Sequence, residues 1–166
     1  MTPKSRLSSS VIFPQVLYCS LLVIGLDQLT KFLARAFLSE AGSLPVLKNI
    51  FHLTLWYNTG AAFGLLKGGT GFFAFVAILS IVAILLLLSQ ASGLKRMFSI
   101  DVADRWVRLA LGCVLGGAAG NLIDRLRFGA VVDFLDFRIW PVFNLADSAI
   151  TIGGLLLMFK MLKAQR

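Results

Sequence analysis

The chain has 166 residues, enough for one ordinary domain. It is 58% hydrophobic and only 14% charged, where a soluble domain carries about 25% charged residues, so an ordinary soluble fold is excluded and a polytopic membrane protein is expected. The net charge of +8 does not point to nucleic acid, because the basic residues cluster at the ends of apolar runs and leave no soluble face for a polyanion.

The first span is expected over about residues 11–37. Lys4 and Arg6 precede it, and Ala34-Arg35-Ala36 resembles a signal-peptide cleavage site. The apolar run is too long for a signal-peptide core, however, and Asp27, Lys31 and Arg35 interrupt its end, so a retained first helix is expected. Residues 44–57 are rich in β-formers, with partial alternation around Leu53, Thr54 and Leu55, and Asn58-Thr59-Gly60 is a turn signal. A small sheet resting on the membrane surface fits this outer segment, about residues 38–70, and the apolar residues 61–66 are expected to dip into the interface.

Residues 71–90 carry no charge and match the length of a hydrocarbon core. A third span covers about residues 106–123 and a fourth about residues 145–162. Gly112, Gly116 and Gly120, with Gly117 beside them, put a small-residue face on the third span, which reads as helix packing. Trp106 and Trp140 stand where membrane-boundary aromatics are expected. Lys4 and Arg6, then Lys95, Arg96, Arg105 and Arg108, then Lys160, Lys163 and Arg166 fall on one face of a four-span protein, which is therefore the cytoplasmic one. Residues 1–166 thus read as a single integral-membrane domain: mainly α, four transmembrane helices, both termini cytoplasmic, and a small outer-face β-sheet.

The polar residues are one-sided. Asp27, Lys31, Asn58, Asn121, Asp124, Arg125, Asp133, Asp136, Asn144 and Asp147 all map to outer ends of spans or to outer segments. Asp27 and Lys31, four apart on a helix, form either a structural ion pair or a binder of a substrate carbonyl or head group. Arg125 is placed to pair with Asp124 or Asp133. Asn144 suits an N-cap and Asp147 the first turn after it, which explains Asp147 locally. It does not explain Asp133, which stands inside the apolar stretch 130–135. Asp136, beside Arg138, is expected to face water.

Nucleophilic and metal chemistries find no residues. His52 is the only histidine, so neither a Ser/His/Asp or Cys/His set nor a zinc-binding HExxH is available. Cys19 and Cys113 lack metal spacing and read as buried, inert thiols. Carboxylates, Lys and Arg remain. Two carboxylates in a low-dielectric site share a proton near neutrality, as aspartic-type hydrolysis requires. Spacing alone does not choose the pair. An ion-coupled transporter also uses intramembrane acids, but acids on one side offer no path across. A scaffold of glycine-packed helices leaves the aspartates unexplained.

Five motifs occur in order: Leu26-Asp27-Gln28 with Lys31, then Tyr57-Asn58-Thr59-Gly60-Ala61-Ala62-Phe63, Gly120-Asn121-Leu122-Ile123-Asp124-Arg125, Val131-Val132-Asp133-Phe134, and Phe143-Asn144-Leu145-Ala146-Asp147-Ser148-Ala149. Over about residues 20–155 the chain closely resembles the bacterial lipoprotein signal peptidase (signal peptidase II) family. The resemblance implies an intramembrane aspartyl endopeptidase that removes signal peptides from diacylglyceryl-modified prolipoproteins by cleaving before the lipidated Cys. By motif position it implies that Asp133 and Asp147 are catalytic, and that Asp27, Lys31, Asn58, Gly60, Asn121, Asp124, Arg125 and Asn144 shape the site. It implies no metal and no organic cofactor, inhibition by globomycin-type cyclic peptides, and residence in the bacterial inner membrane with the site toward the periplasmic face. A monomer in contact with membrane lipid is expected. A lateral opening between spans must admit acyl chains, and the Phe63-Gly64-Leu65 region is expected to cover them.

Overall fold

In the computed structural model, which describes residues 9–60, 68–89 and 101–164, the first apolar run forms one helix, α1 (Ser9–Leu38). Its 30 residues span about 45 Å at 1.5 Å per residue, more than a hydrocarbon core of about 30 Å. Gly42, at φ 65°, then turns the chain into a hairpin, with its N–H 2.9 Å from the Leu38 carbonyl. The hairpin strands are β1 (Ser43–Leu47) and β2 (Phe51–Asn58), antiparallel with Ser43 opposite Thr54 and Leu44 opposite Leu53.

Three further helices follow: α2 (Thr70–Ser89), α3 (Arg105–Phe128) and α4 (Leu145–Ala164). All four helices are long and apolar enough to cross a membrane. Helix α3 continues past residue 123, where the span was expected to end. It stops at Gly129, which adopts φ 69° and donates its N–H to the Arg125 carbonyl at 3.0 Å. Lys4, Arg6, Lys95, Arg96 and Arg166, the apolar residues 61–66 and the proposed Phe63-Gly64-Leu65 cover lie outside the described residues.

Between α3 and α4 the chain forms β3 (Val131–Asp136), which pairs with β2 so that Trp56 opposes Asp133 and Asn58 opposes Val131. The sheet is three-stranded in the order β1-β2-β3. The expected sheet did not include this strand. Its residues are buried on both faces except Leu135, so they carry no polar-apolar alternation to mark them.

Helix α3 is the centre of the bundle. Of its apolar window 61% is buried inside the protein, against 11–22% for the other three. Its glycines make this possible. A Cβ on Gly112 would meet Cys19 of α1 at 2.6 Å; one on Gly117 would meet the Ala146 carbonyl of α4 at 2.5 Å. One half of the bundle packs Val16, Ile84, Leu88, Val107 and Leu111 together. At the other end Ala34 and Leu38 of α1 pack against Phe134, with Leu53 and Leu55, fixing the sheet to the end of α1. Cys19 and Cys113 are free and only partly buried, not fully buried as expected, although Cys19 packs against Gly112 and Cys113 against Gly153.

Candidate active site

The site begins with an ammonium buried between two helices. Lys31 of α1, 2% exposed, lies 2.9 Å from Asp27 Oδ2 and 3.0 Å from Asp124 Oδ2, and donates to Asn121 Oδ1 at 2.9 Å. An ammonium has three donors and no acceptor. Three acceptors meet them, so the charge is left with no unmade bond, the condition for burying it in or near lipid.

The two carboxylates are satisfied in turn. Asp27 Oδ1 accepts the Ala146 N–H at 3.0 Å, and Asp124 Oδ2 accepts the Val132 N–H at 3.0 Å. Gln28 donates to both, at 3.2 Å and 3.0 Å, and to the Gly120 carbonyl at 3.2 Å. The bonds from Ala146 and Val132 tie the start of α4 and the strand β3 to the α1–α3 pair. The close approach depends on Gly120, whose Cβ would lie 2.6 Å from Asp27 Oδ2.

Helix α4 opens with a reciprocal cap. The Asp147 N–H donates to Asn144 Oδ1 at 2.9 Å, and the Asn144 N–H reaches Asp147 Oδ2 at 3.3 Å. The amide of Asn144 also leaves the helix. Its Nδ2 donates to Asp133 Oδ1 at 2.6 Å and contacts Asn121 Oδ1 at 3.1 Å. Asn144 thus touches both aspartates, one through its backbone and one through its side chain. Asn58, at the end of β2, donates to Asp133 Oδ2 at 3.0 Å, and the Gly60 N–H holds Asn58 Oδ1 at 3.0 Å. Asn121 Nδ2 donates to Asp147 Oδ1 at 2.7 Å. Four elements that are distant in sequence therefore converge on two carboxyl groups.

The pair is asymmetric. Asp133 is 1% exposed. Burial, and then the charge of Asp147, push its carboxyl up to about 7, against the opposing hydrogen bonds of Asn58 and Asn144. Asp147 sits in the first turn of α4, where amide dipoles favour negative charge. Two interacting carboxyl groups, one of them buried and inclined to hold a proton, share that proton, and this supplies an acid and a base in a single cleft.

Two expectations are corrected. Arg125 makes no ion pair with Asp124 or Asp133; among the described residues its guanidinium lies over the Phe73 ring, 5.5 Å from the centroid. Its electrostatic neighbours are Asp147, Asp133 and Asp124, at longer range. Asp136 does not face water: it is 5% exposed. Burial pushes its carboxyl up, but bonds from the Arg138 N–H (2.8 Å), Thr54 Oγ1 (2.8 Å) and the Arg138 guanidinium (3.0 Å) outweigh it and hold the carboxyl below the usual range. It belongs to a separate cluster on the sheet. The other sequence-derived residues, Asp27, Lys31, Asn58, Gly60, Asn121, Asp124, Asn144, Asp133 and Asp147, form one connected network. Sequence reasoning does not single out Gln28 or the Ala146 N–H, although both lie inside the quoted motifs. Among the described residues no group of three or more His, Cys, Asp or Glu is placed to hold a metal ion.

Comparison with known proteins follows the same lines. A family model described as signal peptidase (SPase) II matches residues 19–163. The lipoprotein signal peptidase of Moorella thermoacetica is 50% identical over 147 residues, covering 88% of this chain and 91% of that one. That of Burkholderia mallei is 44% identical over 154 residues, covering 89% and 87%. A bacterial membrane enzyme solved by the in meso method at 1.9 Å resolution superposes with a TM-score of 0.74 at 30% identity, covering 89% of this chain and 92% of that one.

Proposed function

The chain belongs to the signal peptidase II family, and we propose that Asp133 and Asp147 are the two carboxyl groups with which this aspartic endopeptidase removes signal peptides from prolipoproteins. The observation that carries the reading is Asn144, which donates its backbone N–H to Asp147 Oδ2 and its side-chain amide to Asp133 Oδ1. Asp27 and Asp124 also share a bridge, through Gln28, but both are committed to the Lys31 ammonium.

In this reading Asp147 is the ionised base. It takes a proton from water as the water oxygen attacks the scissile carbonyl carbon, while protonated Asp133 gives its proton to the carbonyl oxygen. The tetrahedral intermediate then collapses. Asp147 passes its proton to the leaving nitrogen, Asp133 recovers one from the intermediate's hydroxyl, and the C–N bond breaks. The products are a signal peptide with a free carboxyl and a protein with a free amino group, and the pair returns to its starting protonation. Asn58, Asn121 and Asn144 hold the carboxyl groups in place, with Gly60 setting Asn58. Arg125 supplies positive charge near the developing anion. Asp27, Lys31 and Asp124 form the buried support.

The finer reading places the site at the outer face of the bacterial inner membrane, with both termini cytoplasmic. The basic residues Arg105, Arg108, Lys160 and Lys163, at the end of the bundle away from the aspartates, support this orientation. The substrate is a diacylglyceryl-modified prolipoprotein cut before its lipidated Cys, bound from the lipid phase by a monomer, and globomycin-type cyclic peptides compete for the same cleft.

The test is cleavage of a diacylglyceryl-modified prolipoprotein by purified wild type, Asp133→Asn and Asp147→Asn, each checked for folding by thermal melting. Both variants should fold and lose cleavage by at least about 10³-fold. A folded variant that cleaves normally removes that residue from the pair.

A further inference from the structure

The asparagine amides that feed the aspartates, those of Asn58, Asn121 and Asn144, are symmetric in shape. Each has an oxygen that accepts and a nitrogen that donates, and exchanging them costs little unless a neighbour dictates the choice. A carboxylate needs the nitrogen side. If Asn121 presented its oxygen to Asp147, two acceptors would face each other in a buried site.

Backbone N–H groups break the symmetry for Asn58 and Asn144, and for Asn121 a side chain does so. Lys31 can only donate, so Asn121 Oδ1 must turn toward it at 2.9 Å, and Asn121 Nδ2 must then turn toward Asp147 at 2.7 Å. Asn144 is directed by the backbone instead: the Val132 carbonyl accepts from its Nδ2 at 3.4 Å, and the same nitrogen donates to Asn121 Oδ1 at 3.1 Å and to Asp133. The Asp147 N–H, a donor, takes the remaining Asn144 Oδ1. We propose that Lys31 is a positioning residue that turns Asn121 Oδ1 away from Asp147 and so directs the Asn121 Nδ2 hydrogen bond to that carboxyl, acting through Asn121 without touching substrate.

Its own place is over-determined. Asp27, Asp124 and Asn121 take its three protons, and the first two are fixed by Ala146, Val132 and Gln28. Burial at 2% exposure keeps water from supplying a substitute donor. The charged groups around the pair are Lys31 and Asp27 from α1, Asp124 and Arg125 from α3, and Asp147 from α4. Asp136 lies further along β3, and β2 contributes the neutral Asn58. Lys31 holds Asp133 toward its ionised form, so removing it raises the pH at which that carboxyl lets go of its proton.

This inference rests on Asp133 and Asp147 being the reacting pair. The experiment measures kcat, KM and the pH–rate profile for Lys31→Met, Asn121→Ala and the double variant, on a diacylglyceryl-modified prolipoprotein, beside wild type and Asp133→Asn. Loss of cleavage in Asp133→Asn establishes the pair independently. Lys31→Met should lower kcat by about 10–100-fold with KM within about twofold, and move the profile up by about one pH unit. The double variant should be no slower than Asn121→Ala alone, because Lys31 works through Asn121. An unchanged kcat in Lys31→Met, or losses that multiply in the double variant, overturns the proposal. If Lys31→Met does not fold, the same readings are taken on Lys31→Met/Asp124→Asn, which preserves the net formal charge of the buried group and still removes the lysine donor from Asn121 Oδ1. There, a normal kcat overturns it, and a lowered kcat with KM within about twofold supports it.

Discussion

At the scale of single residues, the carboxyl of Asp133 has a consequence that can be measured without substrate. Held at about 7 in the folded protein, it lies well above an unfolded aspartate at about 3.9. Between those two values the folded state binds a proton that the unfolded state has released, so stability falls as pH rises through this window. The loss is on the order of 2–4 kcal/mol. An amide in place of the carboxyl does not titrate. The melting temperature of Asp133→Asn should therefore improve relative to wild type on going from pH 5 to pH 8; a constant difference would show that Asp133 is ionised throughout. The sequence alone reveals some of these residues and hides others. The Asn144–Asp147 cap is legible because both partners stand within one helical turn. The Asn144–Asp133 and Lys31–Asn121 bonds are not, since they join segments brought together only by the fold. Asp136 is misread for the same reason: Arg138 is visible beside it, while Thr54, its other partner, comes from β2.

At the scale of elements, the site depends on how closely α3 approaches its neighbours. Four long apolar runs are readable from composition, and so is a small sheet, although its hairpin turn, around Asn49 at φ 62°, is not. The third strand is not, because a strand buried on both faces has no alternation to distinguish it from the end of a helix. The glycine face is readable as packing, but which helix each glycine meets is not. Gly117 faces α4, and an added Cβ would meet backbone, the Ala146 carbonyl, which cannot swing aside. Gly117→Ala should separate α3 from α4, cost about 1–3 kcal/mol, and lower kcat by moving Asn144 and Asp147 away from Asn121. Gly154 has nothing within 4 Å, so Gly154→Ala is the control and should leave both melting and cleavage unchanged. Equal effects of the two substitutions would mean that close approach is not what the glycine supplies.

At the scale of the whole molecule, the burial of α3 bears on how the protein enters its membrane. This helix is the one most enclosed by protein and carries Arg108, Asn121, Asp124 and Arg125 within its length. Each charge near mid-membrane costs roughly 2.5–3.5 kcal/mol when a helix inserts unaccompanied. Chain order provides the company. By the time α3 is synthesised, α1, with Lys31 to meet Asp124 and Asn121, and α2, with Phe73 to lie under Arg125, have already been made. Inserted alone behind a reporter, α3 should cross the bilayer poorly. Preceded by α1 and α2 it should cross well, and Lys31→Met in α1 should reduce that gain. The residues that hold the peptidase site together would then serve first as the welcome that lets its central helix settle in lipid, so one set of contacts answers for both biogenesis and catalysis.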